Sequence, residues 1–221
     1  MVLSFTEWFL MSVLIIILNV LEIYSHGMLM VPVNRGSAWR YGYNTPINYD
    51  DNANFCGGFA VQWIANNGNC GACGDNYSIQ PPRPNENKGT YGRGVIVATY
   101  NSGAAIDVSV KITANHRGYF VFSICSLSSS DDIDTEECFE KYPLKLADGT
   151  DRYTLRSSAT GFYNTTVILP TYLTCDHCVL RWHYYTANNW GICSNGTGAL
   201  GCGRQETFRT CSDIAIISPS K

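Results

Sequence analysis

Four histidines occur in the 221 residues: His26, His116, His177 and His183. His26 follows a hydrophobic leader, so cleavage after Ser25 would make it the first residue of the mature chain. A terminal histidine carries two neutral-pH ligands. Its α-amine has an ordinary pKa of about 7.7–8.0 and its imidazole about 6.5, so both shed protons near neutrality. His116 lies in Ile112-Thr113-Ala114-Asn115-His116-Arg117-Gly118, between two expected strands. If the first strand begins at the same end of the fold, the His26 amine, His26 Nδ1 and His116 Nε2 form a T-shaped set of three nitrogens. Such a set suits Cu(II), which leads the divalent affinity order. The chemistry it offers is one-electron: reduction to Cu(I), then reaction with O2 or peroxide at a coordination position the protein leaves open.

Near the other end lies Gln205-Glu206-Thr207-Phe208. In a strand over 205–217, Glu206 and Phe208 share a face. A phenylalanine beside copper would block an axial position without coordinating, and a carboxylate could orient an oxygen species or a water. From spacing alone, a core phenylalanine and a solvated glutamate remain the plainer reading. Tyr41 and Tyr43 sit in a loop-rich segment, where their rings could stack on flat sugar faces or pack the loop onto the fold. Trp182, Tyr184 and Trp190 lie on or beside a strand and are expected in the core. Cys175-Asp176-His177-Cys178 has a zinc-like spacing, but no second C-x-x-C of zinc-ribbon spacing accompanies it. His177 and His183 are expected to be structural or exposed.

Several elements must position these groups. Residues 8–21 are almost wholly apolar, too short for a confident membrane span, and read as the core of a signal peptide over 1–25. The region before them lacks Lys and Arg and carries Glu7, which leaves an uncleaved anchor as the alternative. The chain has 15 basic and 18 acidic residues; loss of Glu7 and Glu22 with the leader leaves 16 acidic ones. A near-neutral surface with no basic run argues against nucleic acid and favours an uncharged partner. The ten cysteines, Cys56, Cys70, Cys73, Cys125, Cys138, Cys175, Cys178, Cys193, Cys202 and Cys211, all follow the leader. An even, dense set behind a signal peptide reads as up to five disulfides in an oxidising compartment; closeness in sequence suggests Cys125–Cys138 and Cys193–Cys202. Acceptor sequons at Asn76, Asn164 and Asn195 fit a glycosylating secretory route.

Residues 26–93 are rich in Gly, Asn, Pro and Cys, and read as a large disulfide-pinned loop region with a starting strand over 26–31. Beyond it, short apolar or alternating runs over 94–100, 105–113, 118–125, 152–156, 163–169, 178–185 and 211–217 read as strands, with an acidic excursion over 127–140. Together they predict one all-β domain over 26–221, an immunoglobulin- or fibronectin-III-like antiparallel β-sandwich.

These residues also carry a resemblance. The chain resembles the lytic polysaccharide monooxygenases of animal type, auxiliary activity family fifteen, which are related to chitin-binding type-four domain proteins. The likeness spans the mature chain through His26-Gly27, Arg35 and Trp39 with Tyr41-Gly42-Tyr43, Phe55-Cys56-Gly57-Gly58 and Cys70-Gly71-Ala72-Cys73-Gly74-Asp75. It continues through Ala114-Asn115-His116, Leu180-Arg181-Trp182-His183-Tyr184-Tyr185, Asn188-Asn189-Trp190-Gly191, and Gln205-Glu206 with Phe208, Cys211 and Asp213-Ile214. The resemblance implies one copper ion in a histidine brace of His26 and His116. It places Ala114 on the solvent-facing axial side, Phe208 at the other axial position where some relatives carry tyrosine, and Glu206 as the neighbouring polar group. It further implies a secreted monomer that uses an external electron donor and O2 or H2O2. The reaction would be cleavage of β-1,4 bonds of crystalline chitin or cellulose after hydroxylation at C1 or C4. Two other classes fit the residues less fully: a noncatalytic chitin-binding module and a secreted copper-binding protein.

Overall fold

The computed structural model describes residues 26–219; the leader and its cleavage site lie outside them. Two sheets face each other. The smaller has four strands in the order β1 (His26–Val31), β3 (Ala105–Ala114), β8 (Gly161–Ile168) and β6 (Lys145–Leu146). The larger runs β2 (Ala98–Asn101), β12 (Thr207–Ile217), β9 (Cys175–Tyr185), β4 (Gly118–Ser126) and β5 (Tyr142–Pro143), with β7 (Tyr153–Leu155) also on β4. A separate hairpin joins β10 (Trp190–Ile192) to β11 (Gly198–Leu200). The sandwich is the expected one. One pairing departs from a wholly antiparallel plan: β2 runs parallel to β12.

Alternation explains the inner faces. In β3, Ile106, Val108, Val110 and Ile112 are buried while Ala105, Asp107 and Thr113 are exposed, the pattern of a strand with one solvated face. They meet Phe120, Phe122, Leu180 and Trp182 of the larger sheet in the main core. β12 breaks the alternation, because Thr207 to Ile216 are buried without interruption. Its outer face is covered by the segment between β1 and β2, which has only a 3-10 turn (Ala38–Tyr41) and a short π-turn (Val61–Ala65) of its own. A second apolar cluster of Ala72, Cys73, Cys125, Leu127, Phe139, Val179 and Cys211 fills that layer.

Disulfides pin it. The bridges are Cys56–Cys70, Cys73–Cys211, Cys125–Cys138, Cys175–Cys178 and Cys193–Cys202, so both pairings suggested by closeness in sequence are present. Cys73–Cys211 ties the covering segment to β12 across 138 residues. The Cys175–Cys178 bridge occupies both thiols of the zinc-like spacing.

A buried ion cluster adds to this. The Arg35 guanidinium bonds Asp213 of β12 through Nε at 2.9 Å and Asp134 of the acidic excursion through Nη1 at 2.6 Å, and also donates to the Asn85 carbonyl. Burial would raise the Asp213 carboxyl, but Arg35 and His177 outweigh it and hold the pKa at about 2. Removing one partner of such a cluster leaves uncompensated buried charge. Arg35→Ala should therefore cost about 3–5 kcal/mol, read as a lower urea midpoint with the denaturant slope unchanged.

Candidate metal centre

β1 pairs antiparallel with β3, with His26 opposite Ala114, two residues before His116. One pair further along, Gly27 faces Ile112, so Thr113 is an extra residue on β3. Such a bulge kinks a strand end and re-aims its side chains. The Thr113 hydroxyl donates to the His26 carbonyl and accepts from Asn52 Nδ2, while Gly27 N donates to the Asn52 carbonyl. Gly27 is tightly packed: a Cβ there would lie 2.5 Å from Ile112 Cδ1 and 3.0 Å from the Trp182 ring, so one of these side chains would have to shift.

His116 stands in the turn between β3 and β4. Its backbone N donates to the Tyr184 hydroxyl at 3.1 Å, and its carbonyl accepts from Ala187 N at 2.9 Å. Asn115 anchors the same turn to the Ala159 carbonyl and the Tyr163 hydroxyl. Arg117 and Gly118 both take positive φ, and a Cβ on Gly118 would sit 1.9 Å from the Tyr185 carbonyl. The ring is set from outside the turn: Asn188 contacts Nδ1 at 2.7 Å.

Both imidazoles favour the neutral, ligand-competent form. Burial lowers the His26 pKa against an opposing pull from Asp50. Burial and then the charge of His26 itself lower that of His116, so the two rings are near neighbours. Among the described residues no group of three or more His, Cys, Asp or Glu side chains converges on a metal position. A terminal His26 would add its amine to this pair of imidazoles as a third nitrogen. His183 is buried and held neutral by burial and by Arg209 and Arg181, and His177 Nε2 hydrogen-bonds the Asp213 carboxyl at 2.7 Å; neither belongs to the centre.

The floor is aromatic. Phe208, opposite Tyr184 in the β12–β9 pairing, is fully buried. Its ring lies 5.8 Å from that of Tyr184 and 6.2 Å from that of Phe55, which in turn meets the His26 ring edge-on at 6.4 Å. Glu206 immediately precedes β12 rather than lying within it, and is 8% exposed. Burial pushes its carboxyl up to about 7. Gln205 is committed elsewhere: it accepts from Asn189 N and donates to the Asn189 and Cys202 carbonyls, clamping the base of the hairpin.

The surroundings are shallow. An open depression of about 540 Å³ beside His26 is lined by Asn48, Asp50, Ala53, Phe55 and Tyr91. A larger hollow, about 620 Å³, lies elsewhere against Arg83, Glu86, Glu136 and Arg209, whose charges pair among themselves. Tyr41 is exposed, whereas Tyr43 is half-buried and donates its hydroxyl to the Val97 carbonyl. Trp182 and Tyr184 are fully buried, as expected of core residues, but Trp190 is 66% exposed. It was expected in the core because it follows β9 closely; the chain instead turns out into the β10–β11 hairpin, where Gly198 leaves room for the indole. Sequence reasoning passed over Phe55 and Asn188 as individual residues, since neither spacing nor type marks them.

The Glu206 shift sets a pH dependence. Between its ordinary value and about 7, the folded carboxyl keeps a proton that the unfolded one has lost, so stability falls as pH rises. In copper-free protein, Glu206→Gln should gain roughly 3 kcal/mol relative to the parent between about pH 4 and about pH 8, read by urea unfolding across that range.

The family model described as lytic polysaccharide mono-oxygenase, cellulose-degrading, matches residues 26–214. Among solved structures, the lytic polysaccharide monooxygenase AA15 from Thermobia domestica in the Cu(I) state is 47% identical. It superposes with a TM-score of 0.85 over 86% of this chain and 98% of that one. A search of curated proteins returned no match. The chain belongs to the lytic polysaccharide monooxygenases, copper-dependent enzymes that act on polysaccharides.

Proposed function

We propose that the protein is secreted after cleavage at Ser25 and oxidatively cleaves β-1,4 bonds of crystalline chitin or cellulose, with one copper ion held by the His26 amine, His26 and His116. The carrying observation is the pairing of His26 with Ala114, which brings the two histidines to one end of the sandwich over buried Phe208. The copper named for the Thermobia domestica relative supports the metal assignment. Bound copper supplies one-electron chemistry toward O2 or H2O2, with the electron drawn from an external donor. The chain's own groups do the rest. Phe208 offers no donor atom and excludes water from the buried side. The Ala114 methyl crowds the exposed side without ligating. Glu206, with a pKa of about 7, can hold or release a proton at its carboxyl oxygen near neutrality, which suits a general acid–base role.

The substrate surface we assign is flat. In the β10–β11 register Trp190 faces Leu200, and Ile192 lies two residues on from Trp190, so the three share one face. All three are exposed, and the hairpin begins two residues beyond Asn188, which touches His116. Exposed Tyr41 is the second candidate contact, while the bonded hydroxyl of Tyr43 favours loop packing. The exposed sequon residues Asn164 and Asn195 can carry glycans. Asn76 is half-buried, its oxygen accepting from Asn66 and Ser78.

Protein with an authentic His26 terminus, copper and a reductant should release oxidised oligosaccharides from chitin or cellulose, detected by mass spectrometry. One extra residue before His26 should abolish this release and weaken copper binding; retention of both would remove the amine from the assignment. Trp190→Ala should reduce binding to the insoluble polysaccharide by roughly ten-fold, as for loss of one stacked aromatic ring, and leave copper affinity unchanged in calorimetry.

A further inference from the structure

Asn188 is exposed, so packing does not hold its amide; hydrogen bonds do. One end of the amide lies 2.7 Å from His116 Nδ1 and the other 2.8 Å from the Thr186 hydroxyl. Thr186 is buried, and its hydroxyl is also 3.1 Å from the Glu206 carbonyl oxygen. A hydroxyl has one proton to give. With the amide oxygen toward Thr186, that proton must serve two acceptors, and one contact goes unmade. A half-turn of the amide exchanges its ends without moving any other group, and every contact is then a proper bond. Asn188 Nδ2 donates to Thr186 Oγ1, Thr186 Oγ1 donates to the Glu206 carbonyl, and Asn188 Oδ1 accepts from His116 Nδ1–H.

We infer that Asn188 is a positioning residue that fixes His116 in the Nδ1–H tautomer, leaving Nε2 with its lone pair available to a metal, through a relay anchored at the Glu206 backbone. This rests on the reading of His116 as a copper ligand. Partners of this kind orient a ligating imidazole and raise its basicity, and their loss typically costs 10–100-fold in metal affinity. The relay also joins the two sides of the site. The segment that carries Glu206 sets, through Thr186 and Asn188, the orientation of a ring that belongs to a different strand connection.

The test begins with copper-free protein bearing the authentic His26 terminus and nitrogen-15-labelled histidine. Long-range proton–nitrogen correlation above the imidazole titration range should show His116 protonated at Nδ1 and bare at Nε2. The opposite tautomer overturns the inference, whatever the protein does with copper. The second arm measures Cu(II) affinity and the copper hyperfine splitting. Asn188→Leu should lose about 10–100-fold in affinity with a changed splitting. Asn188→Asp keeps an acceptor toward Nδ1–H but loses the donor toward Thr186; it should retain the Nδ1–H tautomer of the parent, and loss of that tautomer overturns the inference. Parental affinity in Asn188→Leu overturns the inference. Failure of the parent protein to bind copper would overturn the ligand assignment instead, and the tautomer measurement would still decide the role of Asn188.

Discussion

β1 lies at the edge of the four-stranded sheet, so its ladder to β3 is what aligns it, and that ladder places His26 opposite Ala114. A slip of one residue would turn every β1 side chain to the other face of the sheet. The two faces are not interchangeable: Leu29 is fully buried in the main core between the sheets, whereas Met28 and Met30 are buried outside that cluster. The bulge at Thr113 then offsets the strand end by one residue, and Asn52 of the covering segment closes over it. The distance between two residues far apart in the chain is thus set by apolar burial several residues away from either.

The covering segment is what separates this fold from a bare sandwich. It turns the outer face of β12 into interior, and interior positions there carry Arg35, Asp134 and Asp213 with almost no exposure. Buried charge of this kind is weak as a source of net stability but strongly intolerant of losing a partner. The arrangement works because each carboxylate meets the same guanidinium and β12, the excursion and the covering segment each supply one partner. Cys73–Cys211 closes a long loop at the same place, which limits the unfolded chain most strongly.

At the site, the same burial acts on different groups in a consistent direction. It favours neutral imidazoles at His26 and His116 and a protonated carboxyl at Glu206. The pocket thus opposes fixed charge, and a divalent ion bound there would be its principal charge. Phe208 packs between Phe55 and Tyr184, while the Tyr184 hydroxyl is held at the His116 backbone.

Much of the architecture was legible in the residues. Alternation in β3 and apolar runs in β4, β9 and β12 gave strands close to those observed, because side chains of period two must sort between core and solvent. The short pieces β5, β6, β10 and β11 left no such trace; strands of two or three residues carry too little pattern, and they form because a neighbouring edge supplies their bonds. An apolar N-terminal run ending just before His26, the cysteine density and the motif order pointed to a copper monooxygenase without coordinates. Tertiary structure alone decided the rest. It showed that Trp190 faces outward, that Gln205 is spent on the hairpin, that burial raises the Glu206 carboxyl, and that Asn188 reaches His116. Exposure, desolvation and hydrogen-bond partnership are sums over atoms from several elements, and no local stretch of sequence contains them.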